Sequence, residues 1–254
     1  MAPSRPTARL RVATLNVREL LDDSRALRRV LRAAEADVVC LQEVPTHPFS
    51  GHRLGDLAAD VGLWVAAAGR AGAGTAMLAA ARVDVRAGQV RALPTPRFRD
   101  RRPVRRRGCA EAVVRVPLAG GWSRDVLVRS VHLGLEAGER ERHAATLAPT
   151  APLPGPCSPW REAPVVLGGD LNEGPEGAAR QRLCTVLLDA ATSAGAEFPT
   201  FPARAPHRRI DLVLVDPRLS VTGVRTPDLA PGDAAAATDH LAVVADLLVT
   251  ADDA

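Results

Sequence analysis

The sequence predicts a layered α/β fold with β-sheets in the middle. Two features of the chain lead to this prediction. Helices alternate with strands in the first part, and the central part, from Leu63 to Leu133, consists of short strands separated by turn signals. Both kinds of element can bury their apolar faces when the sheets lie inside and the helices lie outside.

The length and composition are those of an ordinary globular protein. The chain has 254 residues, of which 46% are hydrophobic and 24% charged, and this fits one large domain or two small ones. We expect a single domain over residues 10–248, with a flexible N-terminus at 1–9 and a flexible tail at 249–254. The four cysteines show no C-x-x-C spacing, and no window of the chain approaches about 18 apolar residues. Residues 1–10 are polar and contain two Pro, so we expect no signal peptide. We therefore expect a reduced, monomeric, cytoplasmic protein.

The first part of the chain predicts two strand–helix units. Residues 10–16 alternate apolar and polar side chains, as strands do. An acid or serine at 22–24 can cap a helix that runs to about Glu35. The unbroken apolar run at 37–41 is typical of a strand buried on both faces, and a second helix is predicted over 54–61.

Strands dominate the remainder of the chain. They are predicted near 63–67, 75–80, 109–116, 125–132, 165–167, 210–215 and 241–247. A helix is predicted near 138–147, and the proline-rich segment 149–164 is interpreted as a surface connection.

The positive charge of the chain is concentrated in one segment, Arg97–Arg107. This segment holds seven Arg and one Asp, whereas the rest of the chain carries 26 basic and 28 acidic residues. One basic segment on a near-neutral body indicates a local contact with an anion rather than a surface that is basic throughout. The alternative is a solvated arginine-rich loop without a ligand, and composition leaves both open.

The strongest local motif follows the strand at 165–167, in the sequence Gly-Gly-Asp-Leu-Asn at 168–172. The two glycines permit a tight turn toward a ligand. On an extended segment Asp170 and Asn172 point to the same side. A carboxylate beside a carboxamide suits a hard cation or a water held for attack. The structural alternative is an Asx turn.

Two more acids adjoin predicted strands. Glu43 follows the buried strand at 37–41, where a carboxylate is costly unless it is paired or bound to a metal. A salt bridge to an arginine and a metal ligand are both consistent with this position. The tripeptide Thr-Asp-His at 238–240 precedes the last strand, where Asp239 can bind a metal and His240 can act as a base, although such a dipeptide alone is weak support.

Two further strand ends carry titratable side chains. Asp211 opens the strand at 210–215, and an acid there can hold a histidine in the tautomer whose other nitrogen accepts a proton. His132 ends the strand at 125–132. On its own, a histidine in this position is more often structural than functional.

These residues occur in the order typical of the endonuclease/exonuclease/phosphatase superfamily, which the sequence resembles from about Leu10 to Leu247. The matching positions are Asn16, Glu43, His132, Asp170, Asn172, Asp211, Asp239 and His240. The resemblance implies a four-layer α/β sandwich, with two central, mostly antiparallel sheets flanked by helices. It also implies hydrolysis of a phosphoester with the help of a divalent metal.

The resemblance further implies a role for each residue. The metal, Mg²⁺ or Mn²⁺, would be held by Glu43, Asn16, Asp239 and Asp170. The substrate would be contacted by Arg18, Asn172 and Arg107. Asp211 would orient His240, which removes a proton from the attacking water or assists the transition state. Asp170 and Asn172 would position that water or a second metal, and His132 would donate to a phosphoryl oxygen.

Three departures from the superfamily pattern bear on the substrate. Arg18 stands where abasic-site endonucleases carry an acid, and no acid near residues 74–75 is placed to pair with His132. Leu212 replaces a common aromatic residue, and a chain with 3% aromatic residues and no Tyr offers little for stacking on bases. We therefore expect a phosphodiesterase, or a phosphatase, acting on a small molecule or a lipid head group. The alternatives are a nuclease that contacts nucleic acid through Arg97–Arg107 and an inactive binding module on the same fold.

Overall fold

The chain folds into fourteen strands and six α-helices among the residues that the structure describes. The structure is a computed structural model, and it describes residues 5–48, 50–95, 98–99, 102–148 and 155–251. The strands are β1 (Thr7–Asn16), β2 (Val38–Gln42), β3 (Leu63–Ala68), β4 (Ala76–Ala80), β5 (Asp84–Ala92), β6 (Phe98–Arg99), β7 (Arg102–Pro103), β8 (Gly108–Pro117), β9 (Ser123–His132), β10 (Val165–Asp170), β11 (Leu188–Asp189), β12 (Asp211–Val215), β13 (Ser220–Arg225) and β14 (Val243–Thr250). The α-helices are α1 (Ser24–Ala34), α2 (Ser50–Asp60), α3 (Ala137–Leu147), α4 (Ala178–Cys184), α5 (Ala190–Ser193) and α6 (Asp233–Ala237).

Most of the strands form two six-stranded sheets, called sheet 1 and sheet 2. The strand order is β13-β14-β1-β2-β4-β3 in sheet 1 and β11-β12-β10-β9-β8-β5 in sheet 2. The neighbours β1 and β2 are parallel, as are β9 and β10, and the other neighbouring pairs are antiparallel. The prediction of two mostly antiparallel sheets is therefore confirmed.

Three apolar clusters hold the layers together. The first lies between the two sheets and includes Leu10, Met77, Val114, Val166 and Leu247. The second packs α1 and α2 on the other face of sheet 1, and the third packs α3 and α4 on the other face of sheet 2. Burial of each large aliphatic side chain contributes about 1.5–3 kcal/mol. The four-layer sandwich implied by the resemblance is confirmed.

The first helix forms as the sequence predicts. The carboxylate of Asp23 accepts hydrogen bonds from the backbone N–H groups of Arg25 and Ala26, at 2.7 and 3.2 Å. These are two of the donors that the start of a helix leaves unpaired. The helix ends before Glu35, whose left-handed φ of 48° turns the chain toward β2.

The two glycines of β10 have a different role from the predicted one. Gly168 and Gly169 lie inside the strand, which continues to Asp170, so they do not form the predicted turn. A Cβ on Gly168 would lie 3.1 Å from Cys40 Sγ of sheet 1, and one on Gly169 would lie 2.2 Å from the backbone O of Val131 on β9. The glycines therefore let β10 approach both the opposite sheet and its own neighbour closely.

Sheet 1 extends beyond the predicted limits of the folded segment. Thr7 pairs with Thr250 across β1 and β14, so parts of the predicted flexible ends, 1–9 and 249–254, belong to the sheet. Residues 7–9 and 249–250 are too few to show a strand period on their own, but backbone pairing with a neighbouring strand does not need one. The first four and the last three residues of the chain lie outside the described residues.

The sequence does not predict three of the four edge strands of the two sheets or the short helices. β5, β11 and β13 are edge strands, and the side chains of β5 and β13 are largely exposed or half-buried, which weakens their apolar alternation. The helices α4, α5 and α6 have seven residues or fewer, too few for a helical period to show. Among the described residues, no helix is long and apolar enough to cross a membrane.

The arginine-rich segment joins β5 to β8 and is not a plain loop, since β6 and β7 form a small antiparallel hairpin within it. Arg97, Asp100 and Arg101 lie outside the described residues. The last three residues of the segment, 105–107, lead directly into β8. They approach the polar edge of the sheets that is described next.

Candidate active site

Polar side chains gather at one edge of each sheet. In sheet 2, Asp170 at the end of β10 stands opposite His132 on β9 and Asp211 on β12. In sheet 1, Asn16 ends β1 beside the end of β2, and Glu43 follows β2 directly. Because the sheets pack face to face, the two rows of polar side chains meet.

Hydrogen bonds join the two rows. Asn16 Nδ2 donates to Asp170 Oδ2 at 3.2 Å. The segment before β14 is fixed by Thr238, whose hydroxyl donates to the backbone O of Asn16 at 2.8 Å. From this segment His240 reaches sheet 2, where its Nδ1 lies 2.9 and 3.0 Å from the two carboxylate oxygens of Asp211. Both sheets therefore contribute to one continuous polar site.

A buried polar network beneath this edge fixes how the sheets are placed. Gln42 Nε2 donates to Ser130 Oγ at 3.1 Å, and the Ser130 hydroxyl donates to the backbone O of Leu41 at 2.9 Å. The Thr14 hydroxyl donates to Gln42 Oε1 at 3.2 Å. These polar side chains are fully buried, and leaving one without a partner costs about 1–3 kcal/mol. The network thus disfavours any shift of the end of β2 relative to the end of β9.

Asp211 orients His240 and raises its pKa. The Asp211 carboxylate also accepts a hydrogen bond from the Thr200 hydroxyl at 2.7 Å, and the Phe201 ring lies 4.8 Å from the imidazole, centroid to centroid. Burial is the largest influence and opposes a charge on His240. The hydrogen bond and charge of Asp211, together with the charge of Asp170, outweigh burial and raise the pKa of His240 to about 9. Its Nδ1 is committed to Asp211, and its Nε2 faces the site.

The carboxyl group of Asp170 lies in the middle of the site and is buried. Its Oδ2 lies 3.4 Å from His132 Nε2 and 4.0 Å from His240 Nε2. Burial and the negative charge of Asp211 raise the pKa of Asp170 to about 7, although His240 and two hydrogen-bond donors oppose the rise. A carboxyl group with a pKa near neutrality is suited to proton transfer.

His132 lies between an arginine and an acid. Arg107 Nη1 is 2.9 Å from its Nδ1 and 3.1 Å from its Nε2, and Asp170 Oδ2 is 3.4 Å from its Nε2. Burial first, and then the charges of Arg107 and Arg105, hold the pKa of His132 well below its usual value. The ring is therefore neutral, and a neutral imidazole can accept one hydrogen bond and donate another.

Glu43 and Asp239 lie on the more open side of the site, each near an arginine. Glu43 Oε1 is 3.7 Å from Arg105 Nη1, and its carboxylate accepts no hydrogen bond within the described ranges. Asp239 Oδ2 is 3.9 Å from Arg18 Nε, and its Oδ1 is 4.0 Å from His240 Nε2. The side chains are 21% and 39% exposed. Neither carboxylate is held tightly, so the salt bridge considered for Glu43 is no more than a loose contact.

Asn172 reaches the site in a way that the spacing does not predict. The chain turns after β10, and Asn172 has a left-handed φ of 54° instead of the expected extended conformation. Its backbone N–H donates to Asp170 Oδ1 at 2.8 Å, and its Nδ2 donates to the backbone O of Leu133 at 3.0 Å. The Asx turn that the sequence leaves open as an alternative is therefore what places this side chain.

Left-handed backbone conformations recur at the predicted functional residues. Arg18, Glu43 and Asn172 have φ values of 43°, 54° and 54°. Such a conformation costs a non-glycine residue about 1–3 kcal/mol and is concentrated at functional sites. Backbone contacts hold it in place at Glu43, where the next N–H, that of Val44, donates to the backbone O of Gly74 at 2.8 Å. The fold tolerates this cost where side chains are predicted to contact metal or substrate.

The endonuclease/exonuclease/phosphatase family model matches residues 13–240, a range that includes all the side chains of the site. The chain belongs to the endonuclease/exonuclease/phosphatase family. Members of this family are phosphoester hydrolases and generally use divalent metals. The resemblance found in the order of the polar motifs is confirmed.

Solved structures with low sequence identity share the fold of this family member. A family protein from Bacteroides vulgatus is 22% identical, with a TM-score of 0.74 over 94% of this chain and 98% of that chain. A mannosyl-6-phosphatase from Bacteroides thetaiotaomicron is 18% identical, with a TM-score of 0.70 over 94% and 99% of the two chains. The human Nocturnin catalytic domain, with a bound sulfate anion, is 17% identical, with a TM-score of 0.66 over 96% and 97%. A comparison with curated proteins finds no match.

One acidic cluster of this family member has the spacing of a metal site. Among the described residues, the potential ligand atoms of Asp170, Asp211 and His240 all lie within 4.8 Å of one another. Within this cluster His240 and Asp211 are hydrogen-bonded to each other, at 2.9 and 3.0 Å. Glu43 is not part of the cluster.

The structure adds two residues that the sequence does not single out. Arg105 lies between Glu43 and Glu19, and its Nη2 donates to Glu19 Oε1 at 2.6 Å. Its only signal in the sequence is membership of the arginine-rich segment. Thr200 is fully buried and donates to Asp211, but it lies in no motif, so nothing in the sequence marks it. The family pattern therefore marks the motif residues of the site, but it marks neither Arg105 nor Thr200, which contact them.

Proposed function

We propose that this chain is a divalent-metal-dependent phosphodiesterase that uses water as its nucleophile. One observation supports this most. A buried His240–Asp211 pair, 4.0 Å from Asp170, shares the edge of the sheets with Glu43, whose carboxylate accepts no hydrogen bond from the described residues. A charged histidine and a free carboxylate suit a phosphodiester, because the first can donate to its oxygens and the second can hold a cation that neutralises them.

The side chains on the open side of the site suit a hard cation. The ligands that we assign to it are Glu43, Asp239 and the Oδ1 of Asn16, whereas Asp170, which the sequence also suggests as a ligand, is assigned to proton transfer below. Carboxylate and carboxamide oxygens are the donors that Mg²⁺ and Mn²⁺ prefer. Glu43 and Asp239 are partly exposed, and their contacts with arginines are long, at 3.7 and 3.9 Å. Asp239 also accepts a long hydrogen bond from the Thr238 hydroxyl, at 3.4 Å. Both carboxylates can therefore turn toward a cation. The bound cation would neutralise charge on the phosphoryl oxygens.

Asp170 and His240 are the groups that we assign to proton transfer. A pKa of about 7 allows Asp170 to be ionised and to accept a proton from the attacking water at neutral pH. His240 remains charged up to a pH of about 9 and would donate a hydrogen bond from Nε2 to a phosphoryl oxygen. Of the two roles that the resemblance implies for His240, assistance to the transition state is the one that its raised pKa favours.

The side chains of sheet 2 and the neighbouring rim are the proposed contacts to the phosphoester. The neutral His132 can donate one hydrogen bond, and the buried Arg107 supplies positive charge behind it. The backbone N–H of Asn172 donates to Asp170, and Arg18 lies beside Asp239. Donors from several elements around one phosphate stabilise the charge that develops there.

A nuclease is the second candidate, because Arg105 and Arg107 of the arginine-rich segment reach the site. Two features favour a smaller substrate instead. The chain outside Arg97–Arg107 carries 26 basic and 28 acidic residues, and aromatic residues make up 3% of the whole. An inactive binding module is disfavoured, because the adjacent buried acids Asp170 and Asp211 would carry a cost in stability without a catalytic purpose.

A panel of phosphoesters tests this function directly. It comprises bis-p-nitrophenyl phosphate, p-nitrophenyl phosphate, plasmid DNA, RNA, phospholipids and inositol phosphates, each with Mg²⁺, with Mn²⁺ and with EDTA. We expect hydrolysis of bis-p-nitrophenyl phosphate that EDTA abolishes and added metal restores. Faster cleavage of plasmid DNA or RNA than of any small ester would favour the nuclease. Hydrolysis of none of them, or hydrolysis indifferent to EDTA, would refute the proposal.

The charge of His240 provides a prediction that does not depend on a substrate. In the metal-free protein, Asp211→Asn should lower the pKa of His240 from about 9, because the negative charge of its hydrogen-bond partner is removed while the burial that opposes the charge remains. The raised pKa stabilises the fold below the pKa of the unfolded chain, and this contribution is lost as the pH rises through about 9. The variant should therefore lose more stability at about pH 6 than at about pH 10.

Nuclear magnetic resonance titration of the imidazole signals measures this pKa, and denaturant unfolding at both pH values measures the stability. Thr200→Val is the matched control, since it removes a hydrogen bond to Asp211 but keeps the carboxylate beside His240. The pKa of His240 should stay raised in that control. If the pKa of His240 also stayed raised in Asp211→Asn, Asp211 would not be the cause of the raised pKa.

A further inference from the structure

A cavity of about 470 Å³ lies beside the proposed metal site. Its wall begins at Val44, the residue after Glu43, and includes the apolar side chains of Pro45, Leu54 and Ala76. A space of this size accommodates a small organic group. The residues assigned above to metal, water and phosphate do not line it.

A second, polar pocket of about 240 Å³ adjoins this cavity. Thr46 and Arg70 line both spaces, and Arg105 and Arg106 complete the polar pocket. Arg105 Nη1 is also 3.7 Å from Glu43 Oε1. The polar pocket therefore lies between the proposed metal ligand and the apolar cavity.

The polar pocket, called the arginine pocket below, carries unbalanced positive charge. Arg105 has acidic partners in Glu19, at 2.6 Å, and in Glu43. Arg70 and Arg106 have neither a hydrogen-bond nor an ion-pair partner among the residues that the structure describes. Two arginines without acidic partners leave net positive charge in the pocket, and a bound anion would neutralise it. Their planar donor geometry matches phosphate oxygens.

We propose that the arginine pocket binds a second phosphate group of the substrate, whose uncharged organic part enters the cavity. This rests on the proposed function, since it takes the scissile phosphodiester to lie beside Glu43. The substrate class is then a small phosphodiester that also carries a phosphate monoester. A polynucleotide fits less well, because Arg70 and His47 are the only side chains of the described cavity lining that can carry positive charge for further phosphates.

A pair of matched chromogenic esters tests this proposal. They are the p-nitrophenyl ester of thymidine 5′-phosphate and the same compound with an added 3′-phosphate. The wild-type protein should have a KM about tenfold lower for the compound with the 3′-phosphate, as expected for a phosphate held by arginines. Arg70→Ser combined with Arg106→Ser should abolish this preference by raising that KM, and should leave the KM of the plain ester and both kcat values nearly unchanged.

Arg25→Ser combined with Arg161→Ser is the control for the loss of two positive charges, since both residues are exposed and lie outside the two pockets. This control should keep the preference. The proposal is overturned if the Arg70/Arg106 variant keeps the preference, if the control loses it equally, or if the variant loses activity equally on both esters.

Calorimetry separates this proposal from the proposed function. In EDTA, thymidine 3′,5′-bisphosphate should bind the wild-type protein about tenfold more tightly than thymidine 5′-monophosphate, and the Arg70/Arg106 variant should lose that difference. This result would support the arginine pocket even if neither ester were hydrolysed. Equal binding of the two nucleotides would overturn it. Tighter, steeply salt-dependent binding of single-stranded oligothymidylate would also overturn the assignment to a small molecule.

Discussion

Replacing His240 by Ala is expected to reduce kcat for bis-p-nitrophenyl phosphate by about 10²–10⁴-fold. His240 is charged at neutral pH because Asp211 raises its pKa to about 9. Its proposed hydrogen bond strengthens as negative charge develops on the phosphoryl oxygens, and so it favours the transition state over the bound substrate. KM should therefore change much less than kcat.

His207→Ala is the control for this experiment. His207 is exposed, and its Nδ1 lies 3.0 Å from the backbone O of Ala205. Its loss should leave both kinetic constants within about twofold of the wild-type values. Circular dichroism and thermal unfolding establish that the His240 variant is folded, since removal of a buried partner of Asp211 also lowers stability. A folded His240→Ala protein with wild-type kcat would exclude His240 from the chemistry.

Glu43→Gln is expected to weaken Mg²⁺ binding by at least about tenfold and to abolish most of the activity. The substitution keeps the size of the side chain and removes the charge that would attract the cation. The fold should be retained, because the carboxylate is 21% exposed and accepts no hydrogen bond within the described part of the chain. Isothermal titration calorimetry with Mg²⁺ measures the affinity, and thermal unfolding measures the stability.

The control for Glu43 is a neighbouring acid that touches the same arginine. Glu19 lies 2.6 Å from Arg105 and has no assigned role in metal binding. Glu19→Gln removes the same charge from the same surroundings and should keep most of the Mg²⁺ affinity. Equal weakening in the two variants would mean that a general negative potential attracts the metal and that Glu43 has no specific role.

Much of the fold follows from apolar periodicity and from helix caps. The buried strand β2 and the capped helix α1 lie close to where the sequence places them, because their burial patterns are strong and local. The edge strand β5 gives no such signal, since its side chains are exposed or half-buried. Its place is fixed by pairing with β8, and a pairing between distant segments leaves no mark on the local sequence.

The residues of the candidate site are also recognisable from the sequence, but their arrangement is not. Asp170, Asp211 and His132 stand side by side because neighbouring strands align them in register. The sequence predicts Asp170 and Asn172 on one extended segment, whereas the chain turns between them through a left-handed Asn172. The partner of His132 is Arg107, twenty-five positions away. Motif order predicts the candidate groups, and only the sheets determine which of these groups touch.

The proposed function places a metal on Glu43, next to the groups assigned to proton transfer, Asp170 and His240. The most direct test is a crystal structure of the protein with Mn²⁺, analysed by anomalous diffraction. We predict a peak bonded to the Glu43 carboxylate, completed by oxygens of Asn16 or Asp239, while His240 keeps its hydrogen bond to Asp211. A peak between Asp170, Asp211 and His240, with none at Glu43, would contradict the assignment.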